Sequence, residues 1–207
     1  MRRAPDLTLE ATWWLEGYRL VAGVDEVGRG ALFGPVVAAA VVLPSGWQAS
    51  AIPGLCDSKL ATPAKREELY DSIVAAAQEL YVGIVSAAEI DALGISRATL
   101  KAMQLALDGL AEPAEMVIVD GIGPLPQGYR VCAAIDADAL CSTVAAASIV
   151  AKVRRDRLVC ELARDYPGYR LEENKGYATP EHLEALRLLG PTPLHRRSFA
   201  PVLASAD

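Results

Sequence analysis

The stretch Leu20-Val21-Ala22-Gly23-Val24-Asp25-Glu26-Val27-Gly28-Arg29-Gly30, followed after Ala31-Leu32-Phe33-Gly34 by Pro35-Val36-Val37-Ala38-Ala39-Ala40-Val41-Val42-Leu43-Pro44, decides the fold. Both runs are dominated by β-branched and small apolar residues and are closed by glycine or proline. They therefore read as strands over about 19–26 and 35–44, joined as a hairpin through a glycine-rich turn. The second run is apolar at every position yet too short to cross a bilayer, which marks a fully buried strand. Carboxylates beside buried apolar surface are costly unless a cation or a hydrogen-bond network compensates them. Asp25 and Glu26 accordingly point to a metal site, although a solvated acidic turn accounts for the pair as well. Gly28 and Gly30 allow the backbone to approach a ligand closely, and Arg29 between them offers a fork of donors suited to phosphate.

Working outward, Thr62 is an N-cap and Pro63 a first-turn proline for a helix to about Gln78, with Leu69, Ile73 and Val74 on one face. Leu80 to Val85 reads as a third strand. Ser86 with Glu89 forms a capping box for a short helix, and Ser96 opens a longer one that buries Leu100, Met103, Leu107 and Leu110. Met116-Val117-Ile118-Val119 is a short buried strand ending in Asp120-Gly121, and Tyr129 to Ile135 is another. A helical pattern then runs from Ser142 to Asp165; its small residues Ala145-Ala146-Ala147-Ser148 suit close packing on a sheet. Thr179-Pro180 starts a last helix ending at Gly190-Pro191, and Pro193 to Val202 reads as an irregular arm. Strands interleaved with helices, without repeat or linker, predict one α/β domain over residues 1–207, with about 190–207 as the arm.

Composition narrows the chemistry. A net charge of −6 argues against a protein that coats nucleic acid through a general basic surface. The local clusters Lys152, Arg154, Arg155 and Arg157, and Arg196-Arg197, read as solvated faces or as local patches. Arg2 and Arg3 are followed by Pro5, Asp6 and Glu10 rather than by an apolar segment, so the expected location is the cytoplasm, with no membrane contact. Cys56, Cys132, Cys141 and Cys160 show no Cys-x-x-Cys pairing and fit reduced thiols. With two histidines in the chain, a multi-histidine centre is excluded, so a metal would be held by carboxylate oxygen, which favours Mg2+ or Mn2+.

Four acids stand at strand ends or helix starts: Asp25, Glu26, Asp120 and Asp138. In an open α/β sheet, ligands collect where strand ends splay apart, so Asp25 and Asp120 are expected to share a crevice. Asp138 also suits helix capping or dipole compensation. A cluster of carboxylates suits two hard cations about 4 Å apart in phosphodiester hydrolysis. Without the ions, crowding should raise the pKa of some of these acids.

These residues resemble the ribonuclease HII family of type 2 ribonucleases H. The likeness runs from Gly23 to Gly30 and Gly34-Pro35-Val36-Val37, through Asp57-Ser58-Lys59-Leu60, Ile95-Ser96-Arg97-Ala98-Thr99 and Val119-Asp120-Gly121. It continues through Ala145 to Lys152, Arg155-Asp156-Arg157 and Asn174-Lys175-Gly176-Tyr177-Ala178-Thr179 to His195-Arg196-Arg197-Ser198-Phe199. The resemblance implies a ribonuclease H-like fold, a central mixed sheet flanked by helices with a helical C-terminal portion. It also implies metal-dependent cleavage of RNA in RNA–DNA hybrids and of ribonucleotides embedded in duplex DNA, giving 3′-hydroxyl and 5′-phosphate ends. It assigns the metal-binding, catalytic positions to Asp25, Glu26, Asp120 and Asp138, with two Mg2+ or Mn2+ ions when substrate is bound and Asp25 bridging them. Gly28, Arg29 and Gly30 correspond to the segment that tests for the ribose 2′-hydroxyl, Tyr177 to the tyrosine that stacks on the following deoxyribose, and Lys59 and Lys152 to phosphate contacts.

One departure is local. The family usually carries Lys-Gly before its fourth acid, whereas this chain has Asp136-Ala137-Asp138; counting back from Ala145 selects Asp138, and Asp136 adds charge beside it. The chain is expected to act as a monomer, and no protein partner or sliding-clamp motif is readable. Two rivals remain: a DNA-directed nuclease of the same broad fold, such as a resolvase, and a non-catalytic phosphate-binding domain. The first has no use for a 2′-hydroxyl test. The second lacks both the full dinucleotide-binding glycine spacing and a Gly-Lys-Ser/Thr phosphate loop.

Overall fold

The computed structural model describes residues 5–47, 52–56, 58–121 and 125–205. Asp57 of the family-like segment and the end of the C-terminal arm, residues 206–207, lie outside the described residues. In chain order the elements are α1 (Thr8–Leu15), β1 (Val21–Val27), β2 (Val36–Val42), α2 (Pro63–Ala76), β3 (Glu79–Val85), α3 (Ala87–Leu93) and α4 (Ile95–Asp108). These are followed by β4 (Met116–Asp120), β5 (Val131–Ala134), α5 (Ala137–Leu140), α6 (Ser142–Ala163), α7 (Leu171–Asn174), α8 (Pro180–Leu189) and α9 (Ala200–Leu203).

The five strands form one mixed sheet in the order β3-β2-β1-β4-β5. The hairpin of β1 and β2 is antiparallel and in register from Ala22 opposite Val42 to Val27 opposite Val37. β3 extends it antiparallel on the outer side of β2, whereas β4 and β5 add in parallel on the other side of β1. The turn chemistry accounts for the hairpin, and the passage from β2 through α2, β3, α3 and α4 brings β4 back parallel to β1. This is the ribonuclease H-like arrangement expected from the sequence.

Two apolar layers clamp the sheet. On one face Val24, Val36, Ala38, Ala40 and Val42 pack against Ile90, Ala98, Ala102 and Ala106 of α3 and α4. On the other, Ala39 and Val41 meet α2 through Leu69 and Ile73, and α6 through Ala145, Ala146, Ile149 and Val150. The period-two alternation of β2 thus serves both layers, which is why it is apolar throughout. α6 lies directly on β1: a Cβ on Gly23 would sit 2.2 Å from the backbone carbon of Thr143. A third cluster joins Leu32 and Phe33 of the glycine-rich turn to Val159 of α6, Tyr169 of the α6–α7 connection, and Leu171, Leu186 and Val202 of α7, α8 and α9.

The local signals operate as chemistry. Thr62 and Thr179 accept from the backbone N–H groups of Lys65 and His182 and so cap α2 and α8, and Ser86 and Glu89 form a reciprocal capping box. Three expectations need correction. Val74 is half exposed, because the stripe of α2 that meets the sheet is only wide enough for Leu69 and Ile73. The segment after Pro193 is ordered by the core it covers: Phe33 bridges to His195, Arg196 is buried, and residues 200–203 form α9. Helix α1 was not foreseen; its Glu10, fully buried, accepts from the backbone N–H of Thr143 (2.8 Å) and from its hydroxyl (3.0 Å) at the start of α6. A carboxylate there meets the positive end of the helix dipole and satisfies N–H groups that the helix leaves unpaired.

Candidate active site

β1 and β4 are parallel neighbours with Val24 opposite Val119, so the next residue on each strand, Asp25 and Asp120, stand side by side at the carboxyl end of the sheet. Alternation directs both side chains to the α6 face. Asp25 shares the side of Gly23, which meets α6, and Asp120 shares the side of Met116 and Ile118, which pack with Ala137 and Val144. Asp25 is 7% exposed. Its Oδ1 accepts from the backbone N–H of Glu26 at 2.8 Å, and it is hydrogen-bonded to the hydroxyl of Ser148 on α6. The Ser148 and Ser58 hydroxyl oxygens are hydrogen-bonded to each other at 2.9 Å. Asp120 Oδ1 accepts from the Ala137 N–H at 2.7 Å, which ties the end of β4 to the one-turn helix α5.

The carboxyl of Asp25 is pushed up from 3.8 to about 8. Burial is the largest cause and the charge of Glu26 the next; Asp120 adds a smaller push, and the Ser148 and Glu26 hydrogen bonds pull the other way. A pKa raised by crowding was expected; the largest single cause is exclusion from water, with the charge of Glu26 next. Glu26 emerges from β1 on the side opposite Asp25, where its Oε1 meets Arg29 Nη1 at 3.2 Å. Asp138 is 5% exposed within α5, with Lys59 Nζ 3.2 Å from its Oδ2. Asp136 adopts a left-handed conformation (φ 57°) and is exposed. Of the two acids before α6, Asp138 is therefore the one directed inward.

All four acids offer hard oxygen donors, and the two histidines lie apart in a pair of their own, so the donor chemistry fits Mg2+ or Mn2+ rather than zinc. Among the described residues no three His, Cys, Asp or Glu side chains already converge as a metal cage. The adjacent pair is Asp25 and Asp120, while Glu26 and Asp138 are each engaged by a neighbouring cation.

The turn after β1 borders this pair. Gly28 has φ 90°, a left-handed conformation that glycine adopts without penalty, and a Cβ there would lie 2.1 Å from Arg155 Nε. Arg29 and Gly30 are exposed. Beneath the turn lie two fully buried arginines that the sequence presented as members of solvated clusters; Arg154, Arg157 and Arg197 are exposed as expected. Arg155 donates through Nε to the Pro35 carbonyl (3.0 Å), through Nη2 to Phe33 (3.0 Å) and through Nη1 to Lys175 (2.9 Å). Arg196 donates to the carbonyls of Gly34 (3.0 Å) and Arg29 (2.9 Å), and burial pushes its pKa down to about 9.

Tyr177 is half buried, its ring 5.3 Å from the Arg155 guanidinium and 5.6 Å from Lys152 Nζ. Lys152 also pairs with Asp156 at 2.8 Å. Behind Tyr177, Thr192 N–H donates to His195 Nδ1 (3.0 Å), which leaves the His195 proton on Nε2, facing His182 Nε2 at 3.0 Å. His182 then donates from Nδ1 to the Tyr177 carbonyl at 2.9 Å. Both rings must be neutral for this chain, and burial lowers the pKa of each.

Ser58, Ser148, Arg155, Arg196 and the histidine pair were not singled out from sequence. Ser148 had a signal, a lone hydroxyl in a run of alanines; nothing local distinguishes Arg155 from Arg154.

The ribonuclease HII family profile matches residues 22–202. A ribonuclease HII from Dehalococcoides mccartyi is 44% identical, covering 98% of this chain and 96% of that protein. One from Geobacillus kaustophilus is 50% identical over 93% of this chain and 73% of its own length. Among solved structures, the ribonuclease H2 of Pyrococcus horikoshii superposes with a TM-score of 0.76 at 29% identity, covering 90% of this chain and 96% of the other.

Proposed function

The chain belongs to the ribonuclease HII family and is a nuclease, and from that premise we propose that it cleaves the RNA strand of RNA–DNA hybrids and the 5′ side of ribonucleotides embedded in duplex DNA. The products in this reading are 3′-hydroxyl and 5′-phosphate ends. The observation that carries it is adjacency: buried Asp25 and half-buried Asp120 stand side by side, and two residues beyond Glu26 begins a glycine turn whose backbone is exposed at Gly30, with open space around it.

Asp25, Glu26, Asp120 and Asp138 would hold two Mg2+ or Mn2+ ions, which when bound supply the Lewis acidity for phosphodiester hydrolysis. Asp25 and Asp120 provide oxygen ligands from adjacent strands, and Glu26 and Asp138 join them by leaving Arg29 and Lys59. Arg29, so released, is free to meet a phosphate with its planar fork, and Lys59 and Lys152 serve as further phosphate contacts. The backbone of Gly28-Arg29-Gly30 reads the 2′-hydroxyl, which is both donor and acceptor and distinguishes RNA from DNA at one position. Tyr177 stacks on the next sugar, where a deoxyribose fits. All of these residues come from one chain, so the reading calls for a monomer, and we place it in the cytoplasm.

The test is cleavage of end-labelled duplex DNA carrying one ribonucleotide, with Mg2+ or Mn2+ supplied or chelated and the cut position mapped. A metal-dependent nick immediately 5′ of the ribonucleotide is expected. Preferential cutting of an all-DNA branched duplex would favour the DNA-directed rival, and binding of hybrid without hydrolysis in either metal would favour the phosphate-binding one.

A further inference from the structure

Arg155 occupies an unusual position for a cation. It is fully buried, and its three hydrogen bonds go to backbone carbonyls of two separate segments: Phe33 and Pro35 beyond the glycine turn, and Lys175 before Tyr177. Its guanidinium fills the space that a side chain on Gly28 would need, and it lies 5.3 Å from the centre of the Tyr177 ring. A rigid planar fork that bonds carbonyls on two segments fixes the distance between them, which a lysine with its single point charge cannot do. The segments also touch directly, since Leu32 N–H donates to the Gly176 carbonyl at 2.7 Å. Arg196 provides an internal contrast: it too is buried, but its bonds reach only Arg29 and Gly34 on the turn side.

We propose that Arg155 is a positioning residue that holds the glycine turn and Tyr177 as one unit, and so sets the preference for a ribonucleotide followed by a deoxyribonucleotide. This rests on reading the turn as the 2′-hydroxyl sensor and Tyr177 as the deoxyribose reader. The two sugars are neighbours on one strand, so discrimination requires a fixed spacing between the elements that read them. A misplacement of about 1 Å in such an arrangement costs on the order of 10²-fold in rate.

The experiment compares wild type, Arg155→Lys and Arg196→Lys in single-turnover cleavage with Mg2+. One duplex carries a single ribonucleotide in DNA, and the other a continuous RNA strand on DNA. Thermal unfolding is measured alongside to establish that each variant is folded. Wild type should prefer the single-ribonucleotide duplex, and Arg155→Lys should lose that preference by about tenfold or more, with its rate on the continuous hybrid much less affected. Arg196→Lys should slow both substrates alike, because both present the 2′-hydroxyl that the turn reads. A folded Arg155→Lys that keeps the wild-type preference, or that loses both activities equally, overturns the inference and leaves the proposed function standing. A wild-type enzyme that cuts neither duplex, or shows no preference, overturns the reading beneath it.

Should Arg155→Lys not fold, hydrogen exchange of the wild-type protein decides. The amides of Leu32 and Tyr177 should share one opening, with protection within about threefold of each other; protection differing by more than about tenfold overturns the coupling.

Discussion

Asp25→Asn should make the metal-free protein more stable while removing its chemistry. Burial and the neighbouring acids raise the Asp25 carboxyl from 3.8 to about 8 in the folded protein. Between those values the native state keeps a proton that the unfolded chain has released, so stability falls as pH rises through this window. Below it the group is neutral in both states and contributes nothing. Each pKa unit is worth about 1.4 kcal/mol, so the gap sets a ceiling of about 5 kcal/mol near pH 8. Water entry and small rearrangements around a site open at one end relieve part of that, and a gain of about 2 kcal/mol is the expected outcome. For a chain of this size it corresponds to a rise of roughly 4–8 °C in Tm. Asparagine keeps an oxygen to accept the Glu26 N–H, so the hydrogen bond at 2.8 Å survives the change. The assay is thermal unfolding in chelator at about pH 8 and about pH 5: the gain should be large at the first and much smaller at the second. With excess Mg2+ the wild type should recover much of the difference, because a ligand that binds the native state stabilises it. A variant that melts at or below wild type near pH 8, or that gains equally at both pH values, would refute the reasoning.

Other substitutions separate the remaining parts. Arg29→Ala removes an exposed ion pair and should change stability by less than about 0.5 kcal/mol, yet the loss of a charged hydrogen bond to phosphate should slow cleavage of the single-ribonucleotide duplex by about 10- to 100-fold. Burial, then the nearby His182, lowers the pKa of His195 from 6.5 to about 4. Its contribution to stability is therefore present above about pH 6.5 and is lost as pH falls toward 4, where the unfolded state binds the extra proton. Urea unfolding across that range should show a shallower acid loss in His195→Gln, measured in the Asp25→Asn background because Asp25 acts with the opposite sign there. Gly23→Ala forces a Cβ to 2.2 Å from the Thr143 backbone and should cost at least about 2 kcal/mol by urea midpoint, since neither β1 nor α6 can yield without opening the core.

Much of this architecture was legible because its determinants are local. The hairpin follows from two β-branched runs and a glycine turn, α2 and α8 from Thr-Pro starts, and α3 from a serine and a glutamate three residues apart. The acids at strand ends were visible for the same reason. Strand order was not, because pairing of β1 with β4 joins residues nearly a hundred positions apart, and only that pairing sets Asp25 beside Asp120. Helix α1 escaped because its anchor, Glu10, reads as a surface acid until the start of α6 is brought to it. Arg155 and Arg196 escaped for a related reason: a guanidinium is buried when backbone carbonyls are there to receive it, and all of those carbonyls but that of Lys175 come from a turn more than a hundred residues earlier in the chain. Their family-like neighbours marked the segments, but the chemistry of the burial is a property of the assembled fold.

The central claim is that an acid pair on adjacent strands, Asp25 and Asp120, cuts where the adjoining turn detects a ribose. Its most direct test uses two duplexes that differ in one atom, a single ribonucleotide and its 2′-deoxy counterpart at the same position, under single-turnover conditions with Mg2+. A site built to hydrogen-bond a hydroxyl should reject the analogue lacking it by about 10⁴-fold, with the ribonucleotide strand cut on its 5′ side. Equal cleavage of the two duplexes would contradict the account.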